Sequence, residues 1–366
     1  MTHSPRPPDL PHLNLLPPSR LKSLGVTFPF LVAPMVGISH VAFRELIRSY
    51  LPDSLHPLLF TEMLSTLRLP TESLENLPGP LTSVGESCFV PQLLGNDETH
   101  IAESIEKILP LHPWGFDINM GCPASHQLQH NWGVRLLGDM DYAGQVVAMT
   151  KKHSPRPVSV KLRAATGNTI DLNYLLEFTK RMEDSGADWI TLHCRTQNQG
   201  HHGYAHWEWV GEVARARNIP IVGNGDIHNW EDAMTLLKTY HVDGAMIARA
   251  ATARPWILWQ IAFQLGCREK PKAKWETEPP WTPDEEGKEY FLAVLRFSCL
   301  LEKYFGDSDF ALKKLQFFIA QGSRWLLFGH SFFHAVRKCK TLIEVRDFVN
   351  DYANKYPQPM AQRSRT

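Results

Sequence analysis

The sequence predicts an α/β chain: a (β/α)8 barrel followed by a C-terminal all-helical domain. Three observations lead there. Short β-branched or apolar runs recur eight times, helical patterns lie between most of them, and the composition changes after Cys267. The runs follow one another at a spacing of roughly 30 residues, the repeat of βαβ units.

The eight runs are Phe30–Met35, Leu58–Glu62, Cys88–Leu94, Gly115–Asn119, Val158–Arg163, Trp189–His193, Ile219–Asn224 and Gly244–Ala248, each ending in Gly, Pro, Asn or a polar cluster. Eight such units over about 240 residues suit a closed TIM barrel. Helices are expected over Ile38–Tyr50, Asp97–Leu109, Tyr142–Lys152, Asp171–Ser185 and Trp230–Tyr240. A doubly wound open sheet is the competing architecture. It would want a GxGxxG turn after the first strand, and Ala33-Pro34-Met35-Val36-Gly37 is not one.

Residues 1–25, rich in Pro, Ser and His, read as a flexible leader with no signal-peptide pattern. The barrel is expected over 26–267 and a linker over 268–283, where Pro279, Pro280 and Pro283 mix with charges. Thr282 can then cap a helix with Pro283 at its first position and Asp284, Glu285 and Glu286 in its first turn. Phe291, Val294, Leu295, Ser298 and Leu301 give that helix one buried stripe. Further helices around Phe310–Gln321, His330–Cys339 and Leu342–Tyr352 complete a helical domain over 284–356, with 357–366 as a tail; Thr341 and Glu344 are spaced as a capping box.

Bulk properties exclude several classes. Of the 366 residues, 43% are hydrophobic and 21% charged, ordinary for a globular protein and unlike a disordered one. Apolar runs such as Phe28–Val36, broken by Pro29 and Pro34, fall far short of the roughly 20 residues that cross a bilayer. A cytoplasmic location is expected. The six cysteines, at 88, 122, 194, 267, 299 and 339, form no CxxC pair, so reduced thiols are expected rather than a disulfide framework or zinc knuckle. Lys plus Arg balance Asp plus Glu at 38 each, so any basic surface is local.

In a barrel, residues at the C-terminal strand ends face the active site. Here those ends carry Pro34-Met35, Thr61-Glu62, Gln92, Asn119 to Pro123, Lys161 and Arg163, His193 and Arg195, Asn224-Gly225-Asp226, and Ala248-Arg249. The last two groups stand where barrels commonly bind phosphate, and Gly225 lets the backbone approach closely; ordinary tight turns are the alternative. Lys161 in the mouth wants an anion, which a reduced flavin ring supplies, with His193 donating to the same edge; a structural pair with Glu62 or Asp117 is the alternative. The run His193, His201, His202 and His206 fits no metal-ligand spacing, so no metal is expected.

Cys122 lies in a Gly-Cys-Pro turn just past a strand end. An unperturbed thiol, with a pKa of about 8.5, is mostly protonated at neutral pH and suits a proton donor, whereas a nucleophile or metal ligand needs the thiolate.

In order, Ala33-Pro34-Met35-Val36-Gly37, Thr61-Glu62-Met63, Pro91 to Gly95, Ile118-Asn119-Met120-Gly121-Cys122-Pro123, Val160-Lys161-Leu162-Arg163, His193-Cys194-Arg195-Thr196, Asn224-Gly225-Asp226-Ile227 and Asp243 to Arg249 resemble the tRNA-dihydrouridine synthases. The resemblance runs from about Val32 to Trp256, and the bacterial C type, which acts at position 16 of tRNA, looks nearest.

The resemblance implies FMN at the barrel mouth, reduced by NADPH, and a uridine of tRNA reduced to 5,6-dihydrouridine by hydride to C6 and a proton from Cys122 to C5. Pro34, Met35, Gln92, Lys161, His193, Asn224, Gly225, Asp226, Ala248 and Arg249 would then hold FMN. Asn119 and Arg163 would meet the uracil, and Arg195, Lys313, Lys314 and Arg324 would also bind the tRNA substrate. Residues 303–340 hold seven Lys and Arg against two Asp, with Phe317, Phe318, Trp325 and Phe328 interleaved, as an RNA-binding face would. No protein partner is implied, and a monomer is expected.

The chain departs from the family pattern in the cysteine loop, where Ala124 to His126 and His130-Asn131-Trp132-Gly133 stand, so Trp132 is expected to alter which base fits. Two other readings stay open on sequence: a flavin reductase of a small enone or pyrimidine, and a non-catalytic flavin- or RNA-binding paralogue.

Overall fold

The structure is a computed structural model that describes residues 16, 18–74, 77–123, 131–272, 274 and 276–361. Eight strands close a barrel in chain order: β1 (Phe30–Val32), β2 (Leu59–Ser65), β3 (Phe89–Leu94), β4 (Phe116–Met120), β5 (Val158–Ala165), β6 (Trp189–Thr196), β7 (Ile221–Asn224) and β8 (Gly244–Ile247). All pairings are parallel, and β1 closes on β8 with Phe30 opposite Ala245 and Val32 opposite Ile247. Each of the eight runs read from the sequence contains or overlaps one of these strands.

Helices follow most strands: α1 (Val41–Ser49), α2 (Glu98–Ile108), α3 (Met140–His153), α4 (Leu172–Asp184), α5 (Trp207–Ala216), α6 (Trp230–Tyr240), α7 (Arg249–Ala253) and α8 (Ile257–Gln264). Asp97, Asp139, Asp171 and Asn229 set four of the starts, each accepting from a backbone N–H three residues on. The C-terminal part comprises α9 (Pro283–Phe305), α10 (Asp309–Gly322), α11 (Gly329–Val336) and α12 (Leu342–Lys355). At α9 the Thr282 hydroxyl accepts from the Glu285 N–H and the Glu285 carboxylate accepts from the Thr282 N–H, a complete capping box.

Leu31, Ala33, Phe60, Val90, Trp189, Val222 and Met246 fill the barrel interior. Leu21, fully buried, joins them from a short 3-10 turn over Arg20–Leu24. That corrects the expected leader: residues 18–25 are folded, because one leucine covers the apolar N-terminal end of the barrel. Arg20 fastens the turn to Asp243, Nε to Oδ1 at 3.0 Å and Nη2 to Oδ2 at 2.6 Å. Residues 1–15 and 17 lie outside the described residues.

The barrel and the C-terminal helices share one continuous apolar core, with α9 packed on α1 and α10 on α7. Gly322 permits the close approach of α10, since a Cβ there would stand 2.5 Å from the Thr252 carbonyl oxygen. The expected linker is fastened as well. The Pro280 carbonyl accepts from Gln260 Nε2 at 2.6 Å, and the buried Lys274 ammonium meets Glu289 at 2.5 Å. The expected tail folds back too, with Met360 buried and bridged antiparallel to Leu326. Among the described residues no helix is long and apolar enough to cross a membrane.

Candidate active site

A cavity of about 450 Å³ opens at the C-terminal ends of the strands. Pro34 and Met35 reach it from the loop after β1, Gln92 from β3, Lys161 from β5 and His193 from β6. Asn224, Gly225 and Asp226 reach it from the end of β7, and Ala248 and Arg249 from the start of α7. All ten residues expected at a flavin therefore line one space, and Cys122, Asn119, Arg163 and Arg324 line it with them.

A bulge in β2 between Phe60 and Met63 shapes one side. The Thr61 hydroxyl there accepts from the Gln92 N–H at 3.1 Å, and Glu62 Oε2 accepts from the Gly37 N–H at 2.6 Å. Glu62 is thus spent on the β1 loop. Asp117 is likewise spent, accepting from Gln92 Nε2 at 2.7 Å and from the Ser159 hydroxyl at 2.5 Å. Lys161 makes no hydrogen bond or ion pair among the described residues, so neither carboxylate neutralises it by contact. Burial pushes its ammonium down to about 8, against the more distant pull of Asp117. Burial also pushes the Asp117 carboxyl up to about 7, against its two hydrogen bonds and the Lys161 charge. The cavity thus contains a cation in want of an anion.

His193 is held well below the usual imidazole range by burial and by the Lys161, Arg163 and Arg195 charges. It is neutral at neutral pH and carries a single N–H. His201 is pushed down to about 4 by burial and the nearby Arg249 and Arg163 charges.

The Cys122 turn is braced from two sides. Asn119 Oδ1 accepts from the backbone N–H groups of Gly121 at 3.1 Å and Cys122 at 2.9 Å. Arg163 Nε donates to the Gly121 carbonyl at 3.0 Å, while its Nη1 donates to the Thr196 and Gly200 carbonyls, each at 3.0 Å. The Cys122 carbonyl accepts from the Val134 N–H at 3.1 Å, beside Gly133 at φ +61°, where a Cβ would come 2.6 Å from that oxygen. Residues 124–130 of the loop lie outside the described residues.

Other expected site residues lie elsewhere. Arg195 does not line the cavity: it is buried beneath it, its Nη2 donating to both oxygens of Asp226 at 2.6 and 2.7 Å and to the Gly203 carbonyl at 2.6 Å. Burial would raise the Asp226 carboxyl, but hydrogen bonds from Arg195 and the Ala205 N–H outweigh it and hold the group below its usual range. Lys314 turns to Glu62, 3.6 Å away, and to the Gly37 carbonyl at 3.4 Å, and Lys313 stands exposed away from the cavity. Of the four aromatics expected on the RNA-binding face, Phe318 and Trp325 are buried, whereas Phe317 and Phe328 are exposed, Phe317 on the cavity rim. Trp132 is buried too, its indole N–H donating to Asn96 Oδ1 at 2.7 Å. It is not among the described residues that line the cavity.

The sequence reading missed His201, His228 and Phe317 as lining residues. For His201 a signal was present: Gly200 and Gly203, at φ +56° and +64°, flank it in the loop after β6. Among the described residues, Lys161, Arg163, Arg249 and Arg324 line the cavity against the single carboxylate of Asp226, which Arg195 already pairs. Such a space suits a planar, anionic ligand and a polyanionic partner.

A family model described as Dihydrouridine synthase matches residues 31–294. A Synechocystis protein named probable tRNA-dihydrouridine synthase 1 is 31% identical over 274 residues, covering 75% of this chain and 74% of that protein. A Mycobacterium tuberculosis protein named probable tRNA-dihydrouridine synthase is 28% identical over 342 residues, or 90% of this chain and 82% of the relative. A Ralstonia nicotianae protein named tRNA-dihydrouridine(16) synthase is 26% identical, over 67% of this chain and 76% of its own length. Among solved structures, a mandelate oxidase with benzoyl-formic acid aligns at 15% identity and a TM-score of 0.42, covering 66% of this chain and 72% of that one; so loose a likeness carries no argument. With 264 of its residues inside the family model and the family's motifs gathered around one cavity, the chain belongs to the dihydrouridine synthase family.

Proposed function

We propose that the chain reduces a uridine of tRNA to 5,6-dihydrouridine, using FMN in the cavity and NADPH as reductant. The observation that carries the reading is the convergence of an unpaired Lys161, a neutral His193 and a Cys122 turn on one space of about 450 Å³.

The residues present fit FMN. The volume lies in the range of cofactor sites. The Gly225 backbone, at φ +115°, has no room for a side chain, because a Cβ would come 2.9 Å from Ala205 Cβ and 3.1 Å from His193 Cδ2. Lys161 and His193 would hold the electron-rich edge of the ring, Pro34 and Met35 would pack against it, and Arg249 with the Asn224-Gly225-Asp226 turn would hold the phosphate. Bound there, FMN would supply the hydride chemistry between NADPH and C6 of the uracil ring.

Cys122 then gives the thiol proton to C5, and water restores it. Arg163 has Nη2 unpartnered among the described residues and can donate to the uracil. Drawing a stacked base into the cavity costs a few kcal/mol. Contacts from the rim offset this, with Arg324 meeting phosphate and Phe317 presenting an aromatic face. Similarity to the C type makes position 16 the first to assay.

The test uses purified protein loaded with FMN and unmodified tRNA transcripts. Dihydrouridine is expected only when NADPH is present. A yellow protein that oxidises NADPH with a small enone but leaves tRNA unchanged would overturn the reading.

A further inference from the structure

Four side chains form an unbroken hydrogen-bonded series beneath the cavity. Ser159 Oγ donates to Asp117 Oδ1 at 2.5 Å, and Gln92 Nε2 donates to Asp117 Oδ2 at 2.7 Å. Asn119 Nδ2 donates to Gln92 Oε1 at 2.8 Å, and Asn119 Oδ1 accepts from the Gly121 and Cys122 N–H groups at 3.1 and 2.9 Å. Asp117 is fully buried and does not line the cavity.

The series has a direction. Once ionised, above the value of about 7 to which burial pushes it, the Asp117 carboxylate only accepts, whereas a carboxamide has one donor end and one acceptor end. Asp117 therefore compels Gln92 to present its nitrogen, which leaves the Gln92 oxygen facing Asn119. Asn119 must then turn its nitrogen to Gln92 and its oxygen to the turn, where the backbone only donates. One buried acceptor thus sets two amide orientations in register with the Cys122 backbone. Reversing any member would set donor against donor or acceptor against acceptor, and an unmade buried hydrogen bond is costly, so the orientation is specified.

We propose that Asp117 is a positioning residue: through Gln92 and Asn119 it holds the turn that presents the Cys122 thiol to the cavity. Its catalytic consequence rests on the reading of Cys122 as the proton donor; the positioning itself does not.

The experiment is amide hydrogen exchange on the full-length protein, read by mass spectrometry at Gly121 and Cys122. Wild type is compared with Asp117→Leu, Asn119→Asp and the double variant Asp117→Asn/Asn119→Asp. In Asn119→Asp the turn keeps its acceptor, but nothing donates to Gln92, which must either leave a bond unmade or point its oxygen at Asp117. Adding Asp117→Asn supplies a donor at position 117, and the series closes again with reversed direction at the same total charge.

Asp117→Leu and Asn119→Asp are each expected to speed exchange at the two amides about ten-fold, and the double variant to return it to within about three-fold of wild type. Exchange as slow in Asp117→Leu as in wild type, or a double variant no slower than Asn119→Asp, would overturn the proposal. Should Asp117→Leu fail to fold, the Asn119→Asp pair decides alone. Because exchange needs neither flavin nor tRNA, the predicted pattern in a protein that makes no dihydrouridine would uphold the positioning role and overturn the function.

Discussion

Arg254 and Glu286 meet in a two-pronged pair at the seam between barrel and helices, Nε to Oε1 at 2.7 Å and Nη2 to Oε2 at 2.9 Å, each side chain 3% exposed. Gln260 Nε2 adds a third bond to Oε1 at 3.0 Å. Removing the guanidinium leaves a buried carboxylate without its counter-charge, so Arg254→Met is expected to destabilise the protein by about 3–5 kcal/mol. Arg254→Met/Glu286→Leu, which removes both charges, should recover most of that. Urea midpoints of the two variants check it.

Gly225→Ala forces a side chain into left-handed backbone beside Ala205 and His193. A loss of about 1–3 kcal/mol in stability is expected from the strained conformation and contact. Flavin affinity, measured by fluorescence quenching on titration with FMN, should fall with it.

Lys161 titrates near 8 in the free protein. If an anionic ligand needs it charged, affinity for FMN should fall as pH rises past about 8, approaching ten-fold per unit. In Lys161→Met the affinity should be lower throughout, with that dependence gone. A titration series from pH 7 to pH 10, roughly spanning the ammonium's shift, distinguishes the two.

Acid should weaken the fold through its buried imidazoles. His40, stacked on Phe297 with both ring nitrogens unbonded, is held well below its usual range by burial and the Lys314 and Arg44 charges. Below about 6.5 the unfolded chain binds a proton that folded His40 refuses, so stability is lost as pH falls, by up to about 1.4 kcal/mol per unit. His40→Phe should flatten this slope in urea melts between pH 6.5 and pH 5, roughly the interval in which the free imidazole titrates.

The barrel was legible because each strand run is apolar, β-branched and punctuated, and because helix starts carry Asp, Asn or Thr caps. Strand-end position alone identified the lining residues Lys161, His193, Gln92 and Arg249. What it could not supply was which of these polar groups spend themselves on one another. Arg195 sits at a strand end like the rest, yet Asp226 in a different strand loop claims it. Asn119 carries the resemblance of a substrate contact, and both ends of its amide are engaged by Gln92 and the Cys122 turn. Leu21 among prolines gave no periodic signal, because a single residue suffices to plug a barrel end. The linker composition around Pro280 suggested separate domains, whereas buried pairs such as Lys274 with Glu289 depend on partners too distant in sequence for composition to reveal.

The most direct test of the central claim is the dihydrouridine content of tRNA, measured by mass spectrometry of digests from cells that lack the gene and are complemented with wild type or Cys122→Ala. Loss of dihydrouridine at one position, restored by wild type and not by Cys122→Ala, is the predicted result. Unchanged dihydrouridine in the deletion, or full restoration by Cys122→Ala, would contradict the account.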